Sequence, residues 1–456
     1  MKIRKLFAFL LAVFLLMTSL AGCADILPLK PPPTEPPIPD PDYLSYTVKD
    51  GKATVTAADQ TISGSIEIPA TLGGYPVTAI GDCAFILCQD LESITIPEGV
   101  THIGIGAFLS CNSLRSISIP DSLTYVGDSA FSSCTKLQYN IYENGNYLGN
   151  ASNPYVILIS SISKDMTSFN VHRATKCIYE RAFHQNKKLT EITLHNGLTS
   201  IGGAAFFDCT SLKAITIPES VLEIGFSAFS DCSSLETINI PDGIESIEGA
   251  FGYCSNLQYN IYNGGKYLGS AKNPYILFLG VDPPDITSYS INPATKFIDK
   301  YAFNGRRALT DITIPNSVVH IGGGAFLYCE SLVEITIPDS VKSIGGDAFW
   351  KCTSLKTIHL PDNMERIGSR AFYGCSALES IRIPNGVQRI EENTFNSCTS
   401  LKSITIPSSV VEIDGAPFRT CSALQDIFYC GSETDWEKID IYKPITEVTI
   451  TYNYAP

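Results

Sequence analysis

The most reactive side chains in this 456-residue sequence are its 15 cysteines, and eleven of them share one spacing. Cys88, Cys111, Cys134, Cys209, Cys232, Cys254, Cys329, Cys352, Cys375, Cys398 and Cys421 each follow a phenylalanine by three residues. Thiols at a fixed interval could form disulfides or hold zinc. Both need convergence: a disulfide turns Cβ atoms toward each other at about 3.8 Å, and an all-cysteine zinc site gathers its sulfurs around one point. Residues that recur once per coil of a stack form a straight file instead, pointing in parallel at the ~4.8 Å strand spacing. The spacing therefore predicts small buried hydrophobes and no metal. Cys83, Cys177 and Cys430 lie off the file, far apart in sequence, and whether they form disulfides stays open.

Other reactive groups are sparse. Asp311 and Glu334 are 23 residues apart in equivalent places. Stacking would set them roughly 5 Å apart, near the ~5–5.5 Å of a retaining glycosidase's carboxylates. Hydrolysis or cation binding would follow, but their neighbours are small and polar, with no platform for a sugar. Carboxylates on an open strand are ordinarily just solvated. His102, His172, His184, His195, His320 and His359 show no ligand spacing, and no H-E-x-x-H, Walker A, G-x-S-x-G or C-x-x-C is present. The expectation is no catalytic residue, no metal, no cofactor and no enzyme activity.

One cysteine does carry chemistry. Lys2, Arg4 and Lys5 precede an uncharged apolar run, Leu6 to Leu20, that ends in Leu20-Ala21-Gly22-Cys23. The run is shorter than the ~20 residues of a membrane span and fits a secretory h-region. Its last four residues resemble a bacterial lipobox, which implies that Cys23 receives a diacylglyceryl thioether and becomes the mature N-terminus. Residues 1–22 then form a lipoprotein signal peptide and 23–42 a lipidated linker. Pro31 to Pro41 favour extended polyproline II, a semi-rigid spacer. The expected location is extracytoplasmic, at the cell surface, lipid-anchored to a membrane. A net charge of −14 argues against nucleic acid as a partner.

The elements that must position these residues are repeats. Phenylalanines recur at Phe85, Phe108, Phe131, Phe183, Phe206, Phe229, Phe251, Phe303, Phe326, Phe349, Phe372, Phe395 and Phe418, at 23 residues, once 22 and twice 52. A fixed period of this length is the mark of a solenoid. Each unit holds L-x-x-I-x-I-P, as in Leu401 to Pro407, whose alternating β-branched residues suit a strand that Pro ends. A Pro-Asp/Glu/Asn-Ser/Gly turn leads to V-x-x-I-G, as in Val341 to Gly345. The A-F-x-x-C segment has the i, i+3 rhythm of a helical or 3₁₀ turn. The fold predicted is a β-rich, right-handed leucine-rich-repeat solenoid of about 13 coils, some ~60 Å long, with parallel strands.

These motifs together resemble the leucine-rich repeats of BspA-like bacterial surface proteins, from about Tyr43 to the C-terminus. The resemblance implies an N-terminal β cap at 43–78, a solenoid at 79–424 and a C-terminal β cap at 425–456. It also implies adhesion or recognition of host proteins, with no shared catalytic motif.

Two long units, 137–183 and 257–303, align without gaps at an offset of 120 residues, so a block has been duplicated. Asn144-Gly145 and Asn263-Gly264-Gly265 predict hairpins that bulge from the stack or fill an enlarged coil. Tyr139, Tyr142, Tyr147 and Tyr155, with Tyr259, Tyr262, Tyr267 and Tyr275, are candidate ligand anchors, since tyrosine is frequent in hot spots. The same rings could instead pack the hairpins onto adjacent coils. The reading is a non-enzymatic binding or adhesion module for a protein or glycan ligand on host or neighbouring cells. Its alternatives are a structural envelope spacer and, behind that, a surface glycan-active enzyme.

Overall fold

A computed structural model describes residues 40–442, 445 and 448–455; Cys23 and the segment around it, through residue 39, lie outside them. From Asp42 the chain is a solenoid of stacked coils in which strands from successive coils pair in parallel. The L-x-x-I-x-I segments form one row, for example Glu334–Thr336 beside Thr357–His359. The V-x-x-I-G segments form a second, with Ile201 beside Ile224 and Ile344 beside Ile367, always 23 residues on. A third ladder links the turns, as where Phe326 N–H donates to Ala348 O at 2.8 Å. Every coil therefore satisfies its backbone on its neighbours, which is why one coil cannot stand alone.

The A-F-x-x-C segment keeps the i→i+3 bonds of a 3₁₀ turn but does not propagate into helix. Left-handed residues flank each phenylalanine, as Asp347 (φ 59°) and Lys351 (φ 56°) flank Phe349. They reset the chain after one turn. Among the described residues the one α-helix is Glu433–Trp436, capped by Ser432 through a capping box.

Inside, the phenylalanines stack in register. From Phe303 through Phe326, Phe349, Phe372 and Phe395, ring centroids are 5.1 to 5.5 Å apart and planes lie within 6°. Beside them each file cysteine after Cys88 donates its thiol to the phenylalanine carbonyl of the preceding coil: Cys352 to Phe326 O at 3.2 Å, Cys375 to Phe349 O at 3.1 Å. Cys88, in the first turn, donates to Asp59 O instead. The two turns without a file cysteine follow the long units, where the preceding coil has no phenylalanine turn. There Asn186 Nδ2 donates to Ser161 Oγ at 2.8 Å, and Arg306 Nε donates to Val281 O at 3.1 Å.

Each long unit opens a three-stranded antiparallel meander. Asn140–Tyr142 pairs with Gly145–Leu148, which pairs with Ile157–Ser161, and that strand restarts the second row by pairing in parallel with Cys177–Ile178. Asn260–Tyr262, Gly265–Leu268 and Leu277–Val281 repeat the pattern. The meanders neither project nor merely widen a coil. Alternate side chains enter different cores: Leu148, Ile157 and Cys177 join the cluster around Phe85 to Phe131, whereas Tyr147, Leu158 and Ile178 join that of Phe183 to Phe251. Leu268, Leu277 and Phe297 face this middle cluster, and Tyr267, Phe278 and Ile298 face the third. Each meander is a wall with apolar packing on both faces, dividing the interior into three.

Candidate functional site

Wall construction decides where the eight candidate tyrosines go. Tyr147 and Tyr267 are fully buried, so the expectation that they anchor a ligand fails for these two. Their strand positions point into a core. Tyr267 Oη lies 3.0 Å from Tyr289 Oη, which in turn donates to Tyr262 O at 2.9 Å. Tyr142 and Tyr155 are half-buried and brought together, 5.5 Å apart, with His172 at 4.7 and 4.2 Å from their rings. Tyr262 and Tyr275 form the matching pair at 5.9 Å. Only Tyr139, 39% exposed, and the partly buried Tyr259 turn toward solvent at the rim.

The strand face carries Asp311 and Glu334 openly. Asp311 pairs with Ser288 and Glu334 with Thr357, and both are exposed. Among the described residues no cluster of three or more His, Cys, Asp or Glu could hold a metal ion. The same face has one shallow groove of about 590 Å³ along Thr190–Thr193 and Lys213–Thr216.

Beside the second wall, a cleft of about 470 Å³ contains Glu248, His320 and Ser343. His320 Nδ1 lies 2.7 Å from Ser343 Oγ, and its Nε2 lies 3.3 Å from Glu248 Oε2. The order is that of a serine–histidine–carboxylate relay. Glu248 Oε1, however, accepts the N–H of Gly323 at 2.5 Å. Burial opposes ionisation of Glu248, but those hydrogen bonds outweigh it and hold its carboxyl below the usual range. In the first block Asp128 accepts the N–H of Gly203 in the same way at 3.2 Å, with Ser200 and Glu223 in place of His320 and Ser343. What both blocks retain is the carboxylate-to-glycine bond across 75 residues. The array is a brace joining the coil before a wall to a coil beyond it. It also accounts for the 22-residue step: Ile247-Glu248-Gly249 lacks the glycine of Val126-Gly127-Asp128-Ser129, and glutamate's extra methylene spans the shortfall.

A further aromatic site joins one sequence candidate, Tyr259, to residues that were not candidates. A cavity of about 530 Å³ on the turn side of the second wall is lined by Phe226, Tyr253, Tyr259, Tyr301, Lys266 and Lys300. Tyr253 is 84%, Phe226 52% and Tyr301 48% exposed. Lys300 Nζ sits 4.4 Å from the Phe226 centroid and 5.1 Å from that of Tyr301; Lys266 Nζ is 5.7 Å from Tyr259. Such ammonium-over-ring contacts order a flexible side chain. Under the cavity Asp299 accepts the N–H of Gly249 at 2.6 Å, and burial pushes its carboxyl up to about 6. The signal available in the sequence was a departure from the repeat. The places two residues before and after each phenylalanine mostly hold small or polar residues, and here they hold Tyr301 and Tyr253.

A family model described as "BspA type Leucine rich repeat region (6 copies)" matches residues 61–155, 160–271 and 296–425. Among solved structures, a leucine rich cell surface protein from Faecalibacterium prausnitzii A2-165 is 27% identical over 89% of this chain and 98% of its own, with a TM-score of 0.31. A leucine-rich repeat protein from Bacteroides ovatus is 24% identical over 90% and 98%, TM-score 0.26. The pneumococcal vaccine antigen PcpA is 18% identical over 91% and 92%, TM-score 0.30. No curated protein matches the chain.

Proposed function

The chain belongs to the BspA-type leucine-rich-repeat proteins, and from that premise we propose that it is a non-enzymatic recognition module, held at the cell surface by a lipid on Cys23. Residues 23–42 act as its stalk, and 43–78 and 425–456 close the two ends of the stack. Its ligand is a protein or glycan on a host or neighbouring cell; nucleic acid is excluded by the acidic charge.

The observation that carries the reading is Tyr253. It is 84% exposed and sits at φ 58°. A left-handed backbone costs a bulky residue about 1–2 kcal/mol, and a ring this exposed recovers almost nothing by burial. The left-handed conformation belongs to that place in every coil, Leu87 and Tyr328 included; what packing does not explain is so exposed a ring, which contact with a ligand would cover. Tyr259 lines the same cavity, and Tyr139 holds the equivalent place in the first long unit.

The test is binding of the purified full chain to arrays of extracellular-matrix proteins, mucins and bacterial glycans. Saturable binding is expected, weakened when Tyr139, Tyr253 and Tyr259 are replaced together by serine. Silence on every array would leave a spacer as the better description. Turnover of any glycan that Glu334→Gln abolishes would make the protein an enzyme.

A further inference from the structure

We propose that the cavity beside the second wall binds an acidic sugar, a uronate- or sialate-type residue at the end of or within a glycan; this rests on the recognition role above and gives it a chemical class. Three features carry it. The cavity, about 530 Å³, is the size of an ordinary small-molecule site and is lined by the exposed rings of Phe226, Tyr253 and Tyr301. Aromatic faces stack on the C–H surfaces of sugar rings. Lys300 is held against two of those rings. Its charge reaches the carboxylates of Glu248 and Asp347, but among the described residues no carboxylate forms a salt bridge with it. Lys266, paired with Asp282 at 2.9 Å, lies at the opposite edge. A pyranose on the rings would set its carboxylate at the Lys300 ammonium and its hydroxyls at Ser227 and Asp231 of the lining.

A peptide fits less well. Extended peptides bind by adding a strand to a free sheet edge, and here the backbone groups are already used between coils. Ser227 N–H donates to Gly249 O at 3.1 Å, Phe229 N–H to Ala250 O at 2.9 Å and Asp231 N–H to Gly252 O at 2.8 Å.

The duplicated block supplies an internal comparison. The places of Phe226, Tyr253, Lys266, Lys300 and Tyr301 hold Ile105, Ser133, Asn146, Glu180 and Arg181 in the first block. The shared scaffold thus keeps its wall and brace while the cavity differs in rings and in sign of charge. Gly249, at φ 59°, completes the floor. A Cβ there would lie 2.7 Å from Phe226 Cε2 and 3.5 Å from Lys300 Cδ, so ring and lysine stem cross directly over it.

Titration calorimetry of the full chain with tri-galacturonic acid, 3′-sialyllactose and lactose tests the assignment. At least one acidic probe is expected to bind tenfold or more tighter than lactose. Tyr253→Ser, which installs the residue the first block already carries, should weaken it at least tenfold. Lys300→Gln should bring it down to the lactose level while leaving the melting temperature unchanged. Equal binding of acidic and neutral probes, or acidic binding that both variants retain, overturns the proposal. If arrays still show a ligand in that case, the cavity assignment fails alone; silence on both assays removes the recognition role as well.

Discussion

At the scale of the residue, the thiol file shows why cysteine recurs where alanine or serine would fit. Its sulfur fills the space beside the phenylalanine stack and its weak donor meets a carbonyl of the coil before. Burial makes these thiols inert: that of Cys209 is pushed up to about 12, and those of Cys352, Cys375 and Cys398 lie well above the ordinary range. Since the thiolate is the reactive form, Ellman's reagent should label the exposed Cys83 in the native protein and reach the buried file, Cys88 to Cys398, only on unfolding. Rapid native labelling of Cys352 would contradict the packing. Glu223 makes a second residue-scale case. Burial, with Glu245 nearby, pushes its carboxyl up to about 7, and its Oε2 has no hydrogen-bond partner. The folded state therefore holds a proton that the unfolded chain releases near pH 4.5, and stability falls as pH rises from about 5 to 7. Glu223→Gln should raise stability at pH 8 by about 2 kcal/mol and make no difference at pH 4. Thermal melts across that range check both halves.

At the scale of the element, the braces are the feature to test. Glu248→Ala removes the acceptor of the Gly323 N–H and leaves that group unpaired within the cleft. The expected loss is about 1–3 kcal/mol, with faster amide exchange at Gly323 and none at Gly203, whose acceptor is Asp128. Loss of protection at both glycines would mean global unfolding rather than a local brace. This scale also marks where sequence reasoning stops. A 23-residue period written in Phe, Cys, Ile and Pro is enough to infer the two strand rows, the stacked rings and the parallel thiols, because each depends only on the neighbouring coil. The walls were not legible. "NIYENGNYL" gives a hairpin, but whether Tyr147 faces ligand or core depends on what packs against its second face, supplied by coils far along the chain. The brace from Asp128 to Gly203 lies outside any one repeat for the same reason. The aromatic cavity escapes such reading because its residues come from three coils and obey no period.

At the scale of the whole molecule, the proposed attachment to a membrane rests on Cys23. No helix among the described residues is long and apolar enough to cross one. Cys23→Ser should therefore move the protein from the membrane fraction to the soluble one and abolish incorporation of labelled fatty acid, with circular dichroism of the folded part unchanged. Persistence of the variant in the membrane fraction would require a different anchor. The two walls bear on a different property of the molecule, its capacity to change length. Each wall presents one apolar face backward and another forward, and the blocks that contain them are 120 residues long in the same frame. Recombination between the two copies would remove or add a whole block while every joint that remained was of a kind already present. Length variants among otherwise identical genes are the population-level trace such an architecture would leave.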